Sequence, residues 1–365
     1  MSETTQTTPC GPASRRGPFR IGERVRLQNA QGRAYTVTLT EKGWFNVNKA
    51  SFPLGDLIGA PEGTVVTSRE GREFVAMRPR LQDYSLQMPR GATIIYPKDT
   101  GQIIGLADIF EGARVLEAGA GSGAMSMALL AAVGVNGHLT SVELREEFAD
   151  IAAANVELWF GGAHPAWELI VDDLAQRART LPRGYYDRCV LDMLAPWEHL
   201  QAVADLLAPG GVLVAYVATV TQMSRLVEDL RLTERFSEPE SWETIQRAWH
   251  VEGLAVRPEH SMVGHTGFLV MARTLAPGCR PPRKKTRPQK AAEGKAGQWD
   301  DTEGWSESDA GQKPISAKKL RRVRRDAVAR RGRWSSGMAG EDPTPLAASP
   351  RSTYDKEGET TKEDL

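Results

Sequence analysis

The sequence is poor in cysteine, and its three, Cys10, Cys189 and Cys279, are scattered without CxxC spacing. An odd, dispersed set supports neither a disulfide framework nor a thiolate zinc site, and it suits the reducing cytoplasm. Long hydrophobic runs are missing too. No stretch reaches the roughly 18 apolar residues that a membrane span needs. Met1–Arg20 is polar and rich in Thr, Gly and Pro, without the apolar centre of a secretion signal. Net charge is also absent, because 46 Lys and Arg balance 46 Asp and Glu. That balance excludes a uniformly basic chain but hides local patches. Basic residues crowd Arg280–Lys290 and Lys318–Arg333, whereas Asp355–Leu365 is of mixed charge with acidic residues prominent. His250, His260 and His265 lack metal-ligand spacing, so no metal site is expected.

What is present organises into four parts. Residues 1–18 read as a disordered leader. Residues 19–80 show short apolar stretches broken by turns: Arg33–Thr40, Trp44–Val47, Thr64–Ser68 and, after Arg69-Glu70-Gly71, Glu73–Met77. Alternation with glycine at the breaks predicts a small β domain. Residues 81–276 change rhythm. Strands are expected at Arg114–Glu117, His138–Glu143, Glu168–Val171, Arg188–Leu191 and Val212–Val217. Helices are expected at Ala124–Val133, Glu146–Trp159, Pro196–Leu207 and Met223–Leu230, with Gly267–Ala272 as a closing edge strand. Such alternation is the signature of an α/β, Rossmann-like, doubly wound sheet. Residues 277–365 read as a disordered Lys/Arg-rich tail, in which Ala317–Arg331 can become a basic helix on meeting a polyanion.

The strongest local signal is Val115-Leu-Glu-Ala-Gly119-Ala120-Gly121-Ser122-Gly123, a strand entering a glycine turn and then a helix. Glycines serve where the backbone turns tightly and where a ligand lies against bare main chain. Glu143, at the end of the next strand, can accept both hydroxyls of a ribose. Together they define a site for an adenosine-containing cofactor. Gly119-x-Gly121-x-x-Ala124 also satisfies the looser dinucleotide fingerprint, so NAD competes at this point. Glu117, two residues before the first glycine, is unwelcome beside a pyrophosphate and suits an ammonium-bearing methionine better. The first strand of the sheet also follows a helix and a separate β domain. Asp172-Asp173 ends the third strand. One of the two reaches the cofactor's adenine, for which Asp173 is preferred, and the other caps a helix or faces solvent.

A second constellation closes the fourth strand: Val190-Leu-Asp192-Met-Leu-Ala-Pro196-Trp197. Open α/β sheets bind ligands outside the carboxyl ends of their strands, which turns Asp192 toward the cofactor's reactive end. The alternative is a cap for the helix near Pro196. Trp197 is either an aromatic wall on which a base stacks or plain core.

Four segments in order, Tyr96-Pro-Lys-Asp99, Leu116-Glu-Ala-Gly-Ala-Gly-Ser-Gly123, Val142-Glu143 and Leu191-Asp-Met-Leu-Ala-Pro-Trp197, resemble the tRNA (adenine-N1)-methyltransferases. The resemblance spans roughly residues 19–275. It implies a seven-stranded methyltransferase sheet behind a small β domain, S-adenosylmethionine as cofactor, and methylation of N1 of adenine 58 in the T-loop of tRNA. It implies a homotetramer as well. It puts Gly119, Ala120, Gly121, Ser122 and Gly123 around methionine and ribose, Glu143 on the ribose, Asp173 near the adenine and Asp192 at the reaction centre. Tyr96 matches a residue lining the target-base pocket, and Gln102 touches the cofactor. Arg78, Arg80, Arg90 and Lys98 are the folded candidates for phosphate contacts. Two rival readings stay open: a methyltransferase for a protein carboxylate or small molecule, and a catalytically idle RNA-binding protein.

Overall fold

The computed structural model describes residues 15–47, 49–282, 316–336 and 346–347. Most of the expected leader and of the expected tail therefore lies outside the described residues. The chain divides into two compact units. Among the described residues no helix is long and apolar enough to cross a membrane.

The first unit comprises residues 15–88 and 246–264 with the short strand Leu346–Ala347. Strands β1 (Arg24–Asn29), β2 (Ala34–Thr38), β3 (Trp44–Val47), β4 (Ala50–Pro53), β5 (Val65–Thr67) and β6 (Glu73–Met77) precede helix α1 (Leu81–Gln87). The antiparallel sheet runs β2-β1-β6-β5, with Leu346–Ala347 outside β2, and β3 pairs with β4. Period-two patterning is visible in β1, where Val25 and Leu27 point inward to a core that Phe45, Phe52 and Phe74 fill. Phe45 meets Phe74 edge-on at 5.1 Å and Phe52 at 5.0 Å. A hairpin of Trp249–Glu252 and Ala255–Pro258 belongs to the same unit.

The second unit holds residues 89–245 and 265–331. Its elements are α2 (Pro97–Leu106), β7 (Arg114–Ala118), α3 (Ala124–Val133), β8 (His138–Glu143), α4 (Glu146–Phe160), β9 (Trp167–Val171), α5 (Leu174–Arg177), β10 (Tyr186–Asp192), α6 (Leu200–Leu206), β11 (Leu207–Val217), α7 (Val220–Leu232), β12 (Glu240–Trp242) and β13 (Phe268–Arg273). They build one seven-stranded sheet in the order β12-β13-β11-β10-β7-β8-β9, parallel except at β12 and β13. This is the expected Rossmann-like sheet. One detail differs: β13 was expected at the edge, but the three-residue Glu-Ser-Trp strand β12 covers it. A strand that short carries no readable period. A further helix, α8 (Ala317–Ser336), lies in the segment read as tail.

The chain order reverses between β10 and β7, so the loops after these two strands part and leave a crevice at their carboxyl ends. A buried clamp fixes α2 to the sheet. Lys98 Nζ donates to both Asp99 oxygens at 2.8 and 3.0 Å and to the Thr244 carbonyl at 2.6 Å. Thr266 Oγ1 donates to Asp99 Oδ2 at 2.6 Å, and the Tyr216 hydroxyl donates to the Thr266 carbonyl at 2.5 Å. Asp99 is 1% exposed, so removing its carboxyl strands the Lys98 ammonium without a counter-charge. Asp99→Ala is expected to cost about 3–5 kcal/mol, a fall of roughly 10 °C in thermal midpoint by calorimetry. An unmoved midpoint would show that the pair holds nothing.

Candidate functional site

The glycine turn after β7 is built by left-handed backbone at Gly119 (φ +87°), Gly121 (φ +54°) and Gly123 (φ +82°). Their surroundings differ. A Cβ on Gly119 would fall 1.9 Å from the Asp192 carbonyl oxygen, so only glycine lets the tip of β7 pass the tip of β10. A Cβ on Gly123 would lie 3.1 Å from the backbone of Ala152 on α4. A Cβ on Gly121 meets nothing nearer than the Gly119 carbonyl at 4.0 Å, which leaves that main chain bare toward open space. Ala120 and Ser122 are buried; Ser122 Oγ accepts the Gly91 amide at 3.3 Å.

Three carboxylates meet this turn. Glu143 Oε2 accepts the Gly121 amide at 2.9 Å, while Oε1 accepts the Arg145 amide at 3.1 Å and faces the Arg145 guanidinium at 3.5 Å. Glu117 is 1% exposed. Its Oε2 accepts the Ser141 and Ser126 hydroxyls at 2.5 and 2.7 Å, and its Oε1 has no partner among the described residues. Burial pushes the Glu117 carboxyl up to about 7, and Glu143 adds to that against the two serines. Asp192 ends β10, one residue past the Leu191–Ala118 pair and opposite Tyr216 of β11. Burial, then the charges of Glu117 and Glu143, push its carboxyl up to about 7 as well. Some of its surface stays reachable, as for a group on the floor of a cleft, while protein crowds its other sides. It caps no helix: the turn at Pro196–His199 starts from Ala195 without a side-chain cap.

The remaining expected residues fall unevenly. Tyr96 is half-buried at the N-terminus of α2, and burial, Asp99, Asp192 and Tyr96 together raise the ionisation of Tyr216, which gathers these groups at one place. Gln102 is half-buried on α2 and hydrogen-bonds to no other site residue among the described ones. The cap left to Asp172 falls to Asp173, whose Oδ1 accepts the Gln176 amide at 3.1 Å; Asp172 Oδ1 accepts the Asp173 amide at 2.8 Å. Trp197 is core rather than stacking wall, 7% exposed in an apolar cluster with the Arg225 guanidinium 4.6 Å from its ring centre.

The expected phosphate-binding rim also needs correction. Arg78 is buried between Glu23 at 2.7 Å and Glu62 at 3.1 Å and donates to the Gly17 and Pro18 carbonyls. Lys98 is locked in the clamp above. Arg80 is exposed but paired with Asp83 at 2.9 Å, and Arg90 is half-buried. A basic residue beside a carboxylate-rich segment is easily mistaken for a solvent-facing cation.

Several contributors escaped sequence reasoning. Asn155, buried on α4, donates to the Pro89 carbonyl at 2.8 Å and the Ser122 carbonyl at 2.9 Å, tying the turn to the segment before α2. Gln222 accepts the amide of Thr219, the cap of α7, and donates to the Leu194 carbonyl at 2.9 Å, fixing the loop after Asp192. The only available signal was a lone polar residue inside an apolar helix or strand, shared by Ser126 and Ser141.

A bare glycine main chain, a ribose-sized pair of acceptor oxygens on Glu143 and an unpartnered buried oxygen on Glu117 fit S-adenosylmethionine, whose sulfonium and ammonium are cations. A pyrophosphate would meet three carboxyl groups here.

Comparisons with known proteins bear on the same site. A family model described as tRNA methyltransferase complex GCD14 subunit matches residues 73–257, and one described as TrmI-like N-terminal matches residues 17–66. The tRNA (adenine(58)-N(1))-methyltransferase TrmI of Thermus thermophilus is 36% identical over 247 residues, covering 68% of this chain and 95% of that protein. A TrmI of Methanocaldococcus jannaschii, named for adenines 57 and 58, is 31% identical over 66% of this chain and 95% of its own. Among solved structures, TrmI from Aquifex aeolicus has a TM-score of 0.64 at 28% identity, covering 71% of this chain and 100% of that one. An S-adenosylmethionine-dependent O-methyltransferase from Thermotoga maritima has a TM-score of 0.66 at 26% identity, covering 73% and 96%.

The two glycines separate folding from binding. Gly119→Ala is expected to destabilise the chain by at least about 2 kcal/mol through its backbone clash. Gly121→Ala should keep most of the stability and lose cofactor affinity, by calorimetry, at least about tenfold. Equal effects on both measurements would contradict the assignment.

Proposed function

Since the chain belongs to the tRNA (adenine-N1)-methyltransferase family, we propose that it transfers a methyl group from S-adenosylmethionine to N1 of adenine 58 in the T-loop of tRNA. The observation that carries the site assignment is Asp192, a carboxyl with its ionisation raised to about 7, standing against the glycine turn.

Bound S-adenosylmethionine supplies a methyl carbon made electrophilic by a cationic sulfur. The protein's task is to align, to exclude water and to manage charge. Glu143 holds the ribose hydroxyls in place of the Gly121 amide it now accepts. Glu117 would balance the charge of the cationic end, and the second oxygen of Asp173 would take the adenine's amine. Gln102, on α2, would add a cofactor contact. Attack through N1 puts one positive charge on the target base, and Asp192 stabilises it or takes the N6 proton. Preorganised charge of this kind contributes a few kcal/mol to the rate. An ionisation near 7 suits a base that must hold and release a proton. Tyr96 lines the pocket for the base, which leaves its stack to expose N1.

We further propose a homotetramer working in the cytoplasm. Supporting it, the hairpin exposes Trp249, Val251, Leu254 and Val256, an apolar patch of the kind that self-association covers. Sedimentation of the full chain as a monomer would end that part.

The function is tested with labelled methyl donor and unmodified tRNA, followed by mapping of the product nucleoside. The expected product is 1-methyladenosine at position 58; label on an oxygen, another base or no RNA at all contradicts the reading. Asp192→Ala is expected to lower turnover at least about a hundredfold while cofactor affinity changes little. Full turnover in that variant removes Asp192 from the chemistry.

A further inference from the structure

With Arg78 and Lys98 committed to internal ion pairs, the positive surface that an RNA substrate needs must lie elsewhere. Helix α8 supplies it. Nine of its twenty residues are Lys or Arg and one is Asp, a composition whose like charges one turn apart disfavour an isolated helix. It is held by packing on α4. Leu320, Val323 and Ala327, at helical spacing, turn inward, and Ala327 is fully buried. Arg324 pairs with Asp150, and Arg331 pairs with Glu157 at 2.6 Å. Both partners step by seven residues in the same direction, so the two helices run parallel through two turns. Gly91 provides the seat: a Cβ there would fall 2.9 Å from Leu320 Cδ1, 3.0 Å from Phe148 and 3.4 Å from Ile151.

Docking by one face leaves the other to solvent. Lys318, Lys319, Arg321, Arg322 and Arg325 are exposed along it. Among the described residues the only carboxylate near any of them is Asp326, 3.3 Å from Arg325. The location matters. Gly91, under Leu320, donates its amide to Ser122 of the glycine turn, so the first turns of α8 stand beside the cofactor loop. The helix also lies outside the residues that the family models match.

We propose that the outer face of α8 is a phosphate-binding surface that grips the sugar-phosphate backbone of the RNA substrate next to the active site, which rests on the tRNA reading above. Five cations in little more than two turns, on a helix whose position is fixed by its opposite face, match a polyanion with closely spaced charges. A lipid surface fits poorly, because a membrane-lying helix needs its apolar side for the acyl region and here that side is covered by α4.

The test uses the full chain and the variant Lys318→Gln, Lys319→Gln, Arg322→Gln, Arg325→Gln, which keeps helix-forming residues on an exposed face. Affinity for an unmodified tRNA transcript is measured from about 50 to 300 mM KCl, with S-adenosylmethionine affinity as the check on folding. The expected result is a plot of log affinity against log salt shallower by about 3, and affinity at low salt down at least about tenfold. An unchanged slope overturns the proposal. If the fourfold variant loses cofactor affinity, the single Arg322→Glu gives the same reading, a slope shallower by about 1 against none. Methylation by the unaltered chain is read in parallel. Absence of product sinks the tRNA reading itself, whereas product with an unmoved slope sinks only the role of α8.

Discussion

Negative charge gathered at the carboxyl edge of one sheet is the constraint on which the rest of the catalytic unit depends. Glu117, Glu143 and Asp192 come together there because β7, β8 and β10 are neighbours and each ends in a carboxylate or carries one near its tip. Glu143 is relieved by two backbone amides and Arg145. Glu117 has two serine hydroxyls on one oxygen and nothing on the other, and Asp192 has only its neighbours' repulsion. Such a cluster is stable with bound protons or with a cation between the carboxylates. A sulfonium beside a glycine turn is a cation of the right size, held without the hydration that a metal ion would bring along.

Geometry and charge are segregated to serve this edge. The tip of β7 can approach β10 only because Gly119 lacks a side chain, and the Lys98–Asp99 clamp brings Tyr96 to the same end of the sheet. Arg145 meets the edge at Glu143, whereas Arg78 and Lys98 are locked in ion pairs and the dense run at 318–325 is carried on a separate helix outside α4.

Much of this was legible in the residues. Ala124–Val133 and His138–Glu143 were read to the residue, since an apolar helix after a glycine turn and a buried strand before an acidic tip leave strong patterns. The glycine turn, Glu143 and Asp192 were legible because loop chemistry and strand ends are local. What was not legible is long-range. Nothing in the sequence separates an arginine that faces water from Arg78, which is surrounded by Glu23 and Glu62 from distant positions. Nor does the sequence reveal that Arg225, on a later helix, covers the face of Trp197. The pattern at Ala317–Arg331 predicts a basic helix that forms on meeting a polyanion; the helix runs over Ala317–Ser336, and Asp150 and Glu157 of α4 already provide two anionic partners.

The most direct test of the carboxylate edge is a count of protons exchanged when S-adenosylmethionine binds. The Glu117 carboxyl, raised to about 7 by burial, is largely protonated below that value in the free protein and loses its proton when a cation arrives, so binding tightens as pH rises toward it. Calorimetry near pH 6.5 in buffers of different ionisation enthalpy should register release of about one proton per cofactor bound. Binding with no proton released, or with protons taken up, would contradict the account.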